Sequence, residues 1–245
     1  MANDGHEARS GIVLVGGRSS RLGSPKALIE LAGAPLVRHV LHAVAPSCDE
    51  IVLVAAPSEV QPEELRDGLT REVERLARDG ARIRLVNDAR PHLGPVSGLA
   101  TGLGAARGAV AWVTACDVPF LAPALVAALL ARAEHEPDAD VVLPRWRGYL
   151  EPLLAAYRTR TMAAHFAQQL ADDVLKPTAR LDRRRVAIVE QDELLRLDPG
   201  GRSFINVNAP EDLTTARALA AREPSAITWP GARPARNPRG SSGAG

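Results

Sequence analysis

Aromatic residues are scarce: three Trp, three Phe and two Tyr make 3% of 245 residues, so the core must be aliphatic. Cysteine is rarer still. Cys48 and Cys116 are too few for a disulfide framework or a four-cysteine zinc site. Net charge is almost absent, with 30 Lys and Arg against 29 Asp and Glu. That balance argues against a general nucleic-acid binder, whose partner calls for a strong basic excess. No apolar stretch approaches the roughly 18 residues a membrane span needs. The start from Met1 to Ser10 is polar and lacks the apolar centre of a signal peptide. A cytoplasmic protein with no nucleic-acid or membrane partner is expected. What is present is 46% hydrophobic residues, enough to bury a full core, in a length that fits one large α/β domain.

Strand and helix patterns alternate along the chain. Gly11–Val15, Ile51–Val54, Ile83–Val86, Val110–Thr114 and Asp140–Pro144 read as buried strands. Between them, Pro35–Ala45, Pro62–Arg78, Pro95–Arg107 and Pro123–Ala133 read as helices, the last apolar nearly all round and so buried. The second half is less regular. Leu150–Ala156 fits a strand or a helix; Thr159–Leu170 and Pro210–Arg222 fit helices; Val186–Val189 and Phe204–Asn208 fit short strands. Repeated βα units with short links predict parallel strands and right-handed crossovers, hence a three-layer α/β/α sandwich with a mostly parallel sheet. The expected domain is 11–222, with a flexible segment at 1–10 and a disordered tail at 223–245, rich in Pro, Gly, Ser and Arg.

Chemistry concentrates where the first strand ends. Leu14-Val15-Gly16-Gly17-Arg18-Ser19-Ser20-Arg21-Leu22-Gly23-Ser24-Pro25-Lys26 is glycine-rich and basic. Small residues let backbone N–H groups approach phosphate oxygens, and Arg21 and Lys26 add positive charge. It is neither a P-loop, since Ser24-Pro25 separates Gly23 from Lys26, nor the Gly-x-Gly-x-x-Gly dinucleotide fingerprint. Ligands of open α/β sheets bind outside the strand carboxyl ends. Asn87-Asp88 and Asp117 also fall there. Asp117, turned by Val118-Pro119, is the candidate for a Mg²⁺ that bridges carboxylate and phosphates. Plain readings stay open: a cap for Asp117, turn chemistry for Asp88, and a loop anchor for Trp146, which could instead stack on a ring. His39 and His42, three apart on a predicted helix with no third metal ligand, read as a surface pair, and Cys116 reads as a small buried side chain.

The glycine loop, then Gly94-Pro95-Val96-Ser97-Gly98-Leu99, then Cys116-Asp117-Val118-Pro119-Phe120-Leu121 resemble the nucleotidyltransferases of the nucleotide-diphospho-sugar-transferase-like fold. Val142-Leu143-Pro144-Arg145 with Tyr149-Leu150-Glu151-Pro152-Leu153, and Phe204-Ile205-Asn206-Val207-Asn208-Ala209-Pro210-Glu211-Asp212-Leu213, narrow this to a resemblance to the molybdenum cofactor guanylyltransferases. That resemblance implies transfer of GMP from GTP to molybdenum-loaded molybdopterin, with Mg²⁺ and with pyrophosphate as co-product. It implies that Leu14, Val15, Gly16 and Gly17 line the nucleotide, that Lys26 and Arg21 hold the triphosphate, and that Asp88 contacts GTP. Asp117 would bind nucleotide and metal, and Glu151, Asn206 and Asn208 would sit on the acceptor side. Molybdoenzyme chaperones are partners implied by resemblance alone. Val15 and Pro25 depart from the family pattern. Pro-Lys at that place resembles the related cytidylyltransferases, so a cytidylyltransferase on the same acceptor or a sugar-1-phosphate nucleotidyltransferase stays open. A non-catalytic cofactor carrier is the alternative of a different class.

Overall fold

The computed structural model describes residues 8–16, 22–57, 59–88, 90 and 93–223. The chain opens with β1 (Arg9–Val15), then a small hairpin of β2 (Glu30–Leu31) and β3 (Ala34–Pro35) that leads into α1 (Leu36–Val44). β4 (Glu50–Ala55), α2 (Glu63–Arg78), β5 (Ile83–Asn87), α3 (Pro95–Ala105), β6 (Val110–Ala115) and α4 (Pro123–His135) follow in alternation. The second half holds β7 (Val141–Trp146), β8 (Tyr149–Leu150), β9 (Leu154–Arg158) and α5 (Thr159–Ala171). It closes with β10 (Val186–Val189), α6 (Gln191–Leu197) and α7 (Pro210–Arg222).

The main sheet runs β10-β7-β9-β6-β1-β4-β5, with β8 on the free end of β7. β1 pairs in parallel with β4 and β6, β4 with β5, and β7 with β10, while β9 is antiparallel between β6 and β7. Period-2 alternation on strands buried on both faces divides the core in two. Val13 and Val15 join Ile51, Leu53 and Trp112 against α1, α2, α4 and α6. Ile12 and Leu14 join Val52, Val54 and Val113 against α3 and α5. The result is a three-layer α/β/α sandwich of the expected class. Each fully buried aliphatic side chain stabilises it by roughly 1.5–3 kcal/mol of transfer free energy. A third, smaller cluster places Ile29, Leu31, Leu36, Phe120 and Val207 against Ala216 and Ala220 of α7.

Local signals account for most boundaries. Pro stands at the first position of α3, α4 and α7, where a missing N–H costs nothing. α2 has Glu63 and Glu64 in its first turn and Arg75 and Arg78 in its last, matching the helix dipole. Gly80, at φ 89°, follows its end. Among the described residues, no helix is long and apolar enough to cross a membrane.

Four readings change. β1 begins at Arg9, inside the stretch expected to be flexible, because the Arg9 guanidinium reaches Glu134 and the Ser10 hydroxyl donates to Glu50. Residues 1–7, and all but Glu223 of the expected tail, lie outside the described residues. Leu150–Ala156 resolves into the end of β8 and most of β9, entered through a hairpin at Arg147 (φ 49°) and Gly148 (φ 85°). Phe204–Asn208 is not a strand. A 3-10 turn occupies Arg202–Phe204, and the following N–H groups go to partners outside the sheet. The β2–β3 hairpin was not foreseen, its strands being only two residues each.

Candidate active site at the carboxyl edge of the sheet

From β1 the chain steps to β4 and β5, then crosses back to β6 on the other side of β1. The topological switch therefore lies between β1 and β6, and the crevice outside their carboxyl ends is where ligands of open α/β sheets bind. Two clefts of about 500 and 320 Å³ open elsewhere and share Asp49, Glu50 and Arg82 in their walls. Those residues sit at or before the amino ends of β4 and β5, where Glu50 is already engaged by Arg84 and the Arg107 N–H. The switch point has the stronger physical claim.

Three segments converge at the switch. The Cys116 N–H donates to the Leu14 carbonyl at 3.1 Å, so the turn after β6 is fastened to β1 just ahead of Asp117. Lys26 begins a 3-10 turn, Lys26–Leu28, whose entry is set by Pro25 (φ −56°) and whose Leu28 N–H bonds the Pro25 carbonyl. Its Nζ lies 2.8 Å from Asp117 Oδ2 and 2.5 Å from Asn208 Oδ1. The Val207 N–H donates to the Asp117 carbonyl at 2.9 Å, tying the segment before α7 to the same turn. Ile29, Phe120 and Val207 pack together behind these polar groups in the third core cluster. With side chains 21% and 16% exposed, Lys26 and Asp117 form a partly sheltered pair, less screened than a surface ion pair.

The remaining candidates fall into three groups. Leu14 and Val15 have buried side chains and can offer ligands only backbone groups, and the chain reaches the surface at Gly16. Gly17 and Arg21 lie outside the described residues. Asp88 is held by its own neighbourhood: its N–H donates to the Ala55 carbonyl, and Oδ1 accepts from Ser97, from Thr101 and from the Arg90 N–H. That is turn chemistry and a tie to α3. Glu151 stands half-buried at the start of the β8–β9 link, and burial pushes its carboxyl above the ordinary value. Asn206 is exposed.

Weaker candidates resolve toward structure. Trp146 stacks on Phe204 with centroids 4.5 Å apart, Arg147 sits 5.8 Å from its ring, and Gly201 lies against its edge. It anchors a loop. Cys116 is buried beside Asp117, and burial first, then that carboxylate, pushes its thiol up to about 12, so it stays protonated and unfit as a nucleophile. His39 and His42 are not a surface pair: His39 is fully buried on the inner face of α1 and bound to the Leu31 carbonyl, and His42 is half-buried. Among the described residues, no group of three His, Cys, Asp or Glu could hold a metal.

The arrangement sets one ammonium and one carboxylate side by side at the switch point. The MobA-like NTP transferase domain matches residues 11–187. A protein named "Probable molybdenum cofactor guanylyltransferase" in Natronomonas pharaonis is 35% identical, with 85% of this chain and 96% of that protein covered. Its namesake in Pelotomaculum thermopropionicum is 30% identical over 90% and 97%. The crystal structure of molybdopterin-guanine dinucleotide biosynthesis protein A from Archaeoglobus fulgidus superposes with a TM-score of 0.69 at 26% identity, over 87% of this chain and 99% of that one. The chain therefore belongs to the MobA-like NTP transferase family and is a nucleotidyltransferase.

Proposed function

We propose that the protein transfers GMP from GTP to molybdenum-loaded molybdopterin. An oxygen of the acceptor's terminal phosphate bonds to the α-phosphorus of GTP, the bond from that phosphorus to the bridging oxygen breaks, and pyrophosphate leaves. The observation that carries this reading is that Lys26 bridges Asp117, beside β1, and Asn208, on the segment before α7. One ammonium then stands where donor and acceptor phosphates must meet.

The attacking group is already an anion, so no strong general base is required. The protein has to align two anions and stabilise charge on the leaving group. Lys26 exchanges its resting partners for phosphate oxygens. Backbone groups at Leu14, Val15, Gly16 and Gly17, with Arg21, surround the nucleotide, and Asp88 orients it from the α3 side. Asn206, Asn208 and Glu151 take the acceptor. Mg²⁺ fits the donor set, because it binds through one or two carboxylates and completes its shell with phosphate oxygens and water. Asp117 would hold it, and when bound it would neutralise charge on the triphosphate.

Pro25 fixes the turn that carries Lys26, a backbone role that does not itself select the base. Molybdoenzyme chaperones in the cytoplasm are the partners this role calls for. The test is pyrophosphate release with molybdenum-loaded molybdopterin and Mg²⁺, comparing GTP with CTP. GTP-selective release is expected. CTP-selective release would reverse the base, and release with neither, despite nucleotide binding, would favour another acceptor or a carrier.

A further inference from the structure

The geometry points to Asp212 as a positioning residue for the transfer, acting through Asn208 and, through it, on Lys26. Residues Ile205–Ala209 have no strand to hold them, and Asn206 and Asn208 are exposed. The segment is instead clamped. At its start, Phe204 stacks on Trp146. In the middle, the Val207 N–H bonds the Asp117 carbonyl. At its end, one carboxylate oxygen of Asp212 accepts the N–H groups of both Asn208 and Ala209, each at 2.8 Å. The Asn208 side chain leaves from the backbone so held and meets Lys26 Nζ at 2.5 Å.

Asp212 is also the third residue of α7, and its reach back to Ala209 is half of a capping box. The other half is missing, because the methyl group of Ala209 accepts no hydrogen bond. A helix-capping role and a positioning role can therefore be separated. Ala209→Ser would supply a hydroxyl to the α7 amides and repair the helix end without restoring the bond to the Asn208 N–H. The positioning role rests on the proposed transfer reaction, but the contact itself can be read without it.

The chain contains two lysines, Lys26 and the exposed Lys176. Acylation by a water-soluble reagent, followed by peptide mass spectrometry, thus reports on Lys26 with Lys176 as internal reference. In the full chain, Asp212→Ala should raise the Lys26 rate about fivefold relative to Lys176, the population change one hydrogen bond supports. It should also raise KM for the molybdopterin acceptor about tenfold, while the Kd for GTP moves by less than about twofold. Asp212→Asn, which keeps an acceptor oxygen, should stay near the parent in both readouts. The Asp212→Ala, Ala209→Ser double variant should recover thermal stability but neither Lys26 protection nor acceptor KM. Recovery of all three would overturn the proposal and leave Asp212 a helix cap; so would an unchanged Lys26 rate in Asp212→Ala. Failure of the parent to release pyrophosphate would count against the transfer reaction alone, since the acylation rates are read without turnover.

Discussion

Lys26, Asp117 and Asn208 are separated by 91 residues in one interval and by 91 in the next, yet their side chains share one hydrogen-bonded cluster. The sequence singles out Lys26 and Asp117 as candidates, because a cation in a glycine loop and an acid at a strand end are what phosphate chemistry needs. Asn208 was reached only through family resemblance, since an isolated asparagine in a loop has no pattern of its own. Asp212 was missed, although an acid three residues after an N-cap position is a readable capping signal. If Asp117 holds the metal, Asp117→Asn removes its charge at nearly constant shape. Turnover should fall on the order of a hundredfold or more, with the thermal midpoint close to that of the parent. Full activity of that variant with Mg²⁺ would exclude the metal role.

At the scale of elements, α3 shows how glycine sets the distance of a helix from a sheet. A Cβ on Gly102 would stand 2.5 Å from Ile12 Cγ2 and 3.2 Å from Val54 Cγ2, whereas one on Gly98 would meet the Leu14 methyl groups at 3.2 Å. One on Gly104 would meet nothing within 4 Å. Alanine gains about 1 kcal/mol of helix propensity over glycine at each site, and overpacking costs about 1–3 kcal/mol. Gly104→Ala should therefore raise the unfolding midpoint, Gly98→Ala should leave it nearly unchanged, and Gly102→Ala should lower it. Denaturant melts of the three variants check that order, and a stabilised Gly102→Ala would mean that α3 can lift off β1 freely. Strands and helices of this first half were legible because their apolar residues repeat at clean periods. The Phe204–Asn208 run has strand-like residues, but its N–H groups found partners in Asp117 and Asp212, and tertiary contacts overrode propensity.

For the whole molecule, burial sets the response to acid. His39, His42 and His165 are all lowered from the ordinary histidine value, in each case chiefly because burial penalises the charged ring. In the unfolded chain they protonate near 6.5. Below about that pH the unfolded state binds more protons, so stability falls as pH falls. Glu50 adds to this at lower pH. Burial alone would raise it, but bonds from the Arg107 N–H, Ser10 and Arg84 outweigh burial and lower it, and that stabilisation is lost as the carboxylate protonates. Glu151 acts in the opposite sense, since its raised carboxyl gains stability on protonation. The unfolding midpoint of a Glu151→Gln variant should hold above pH 7 and decline steadily from about pH 6.5 downward. A flat profile to pH 5 would show the three rings to be tolerated as cations. The amino-acid sequence by itself determined the alternating αβ architecture and the aliphatic core, because periodicity and turn chemistry are local. Only the tertiary structure decided which distant groups share a site: the return of β6 to the far side of β1 and the packing of Ile29, Phe120 and Val207 bring Lys26, Asp117 and Asn208 together, and no local pattern encodes a contact across so many residues.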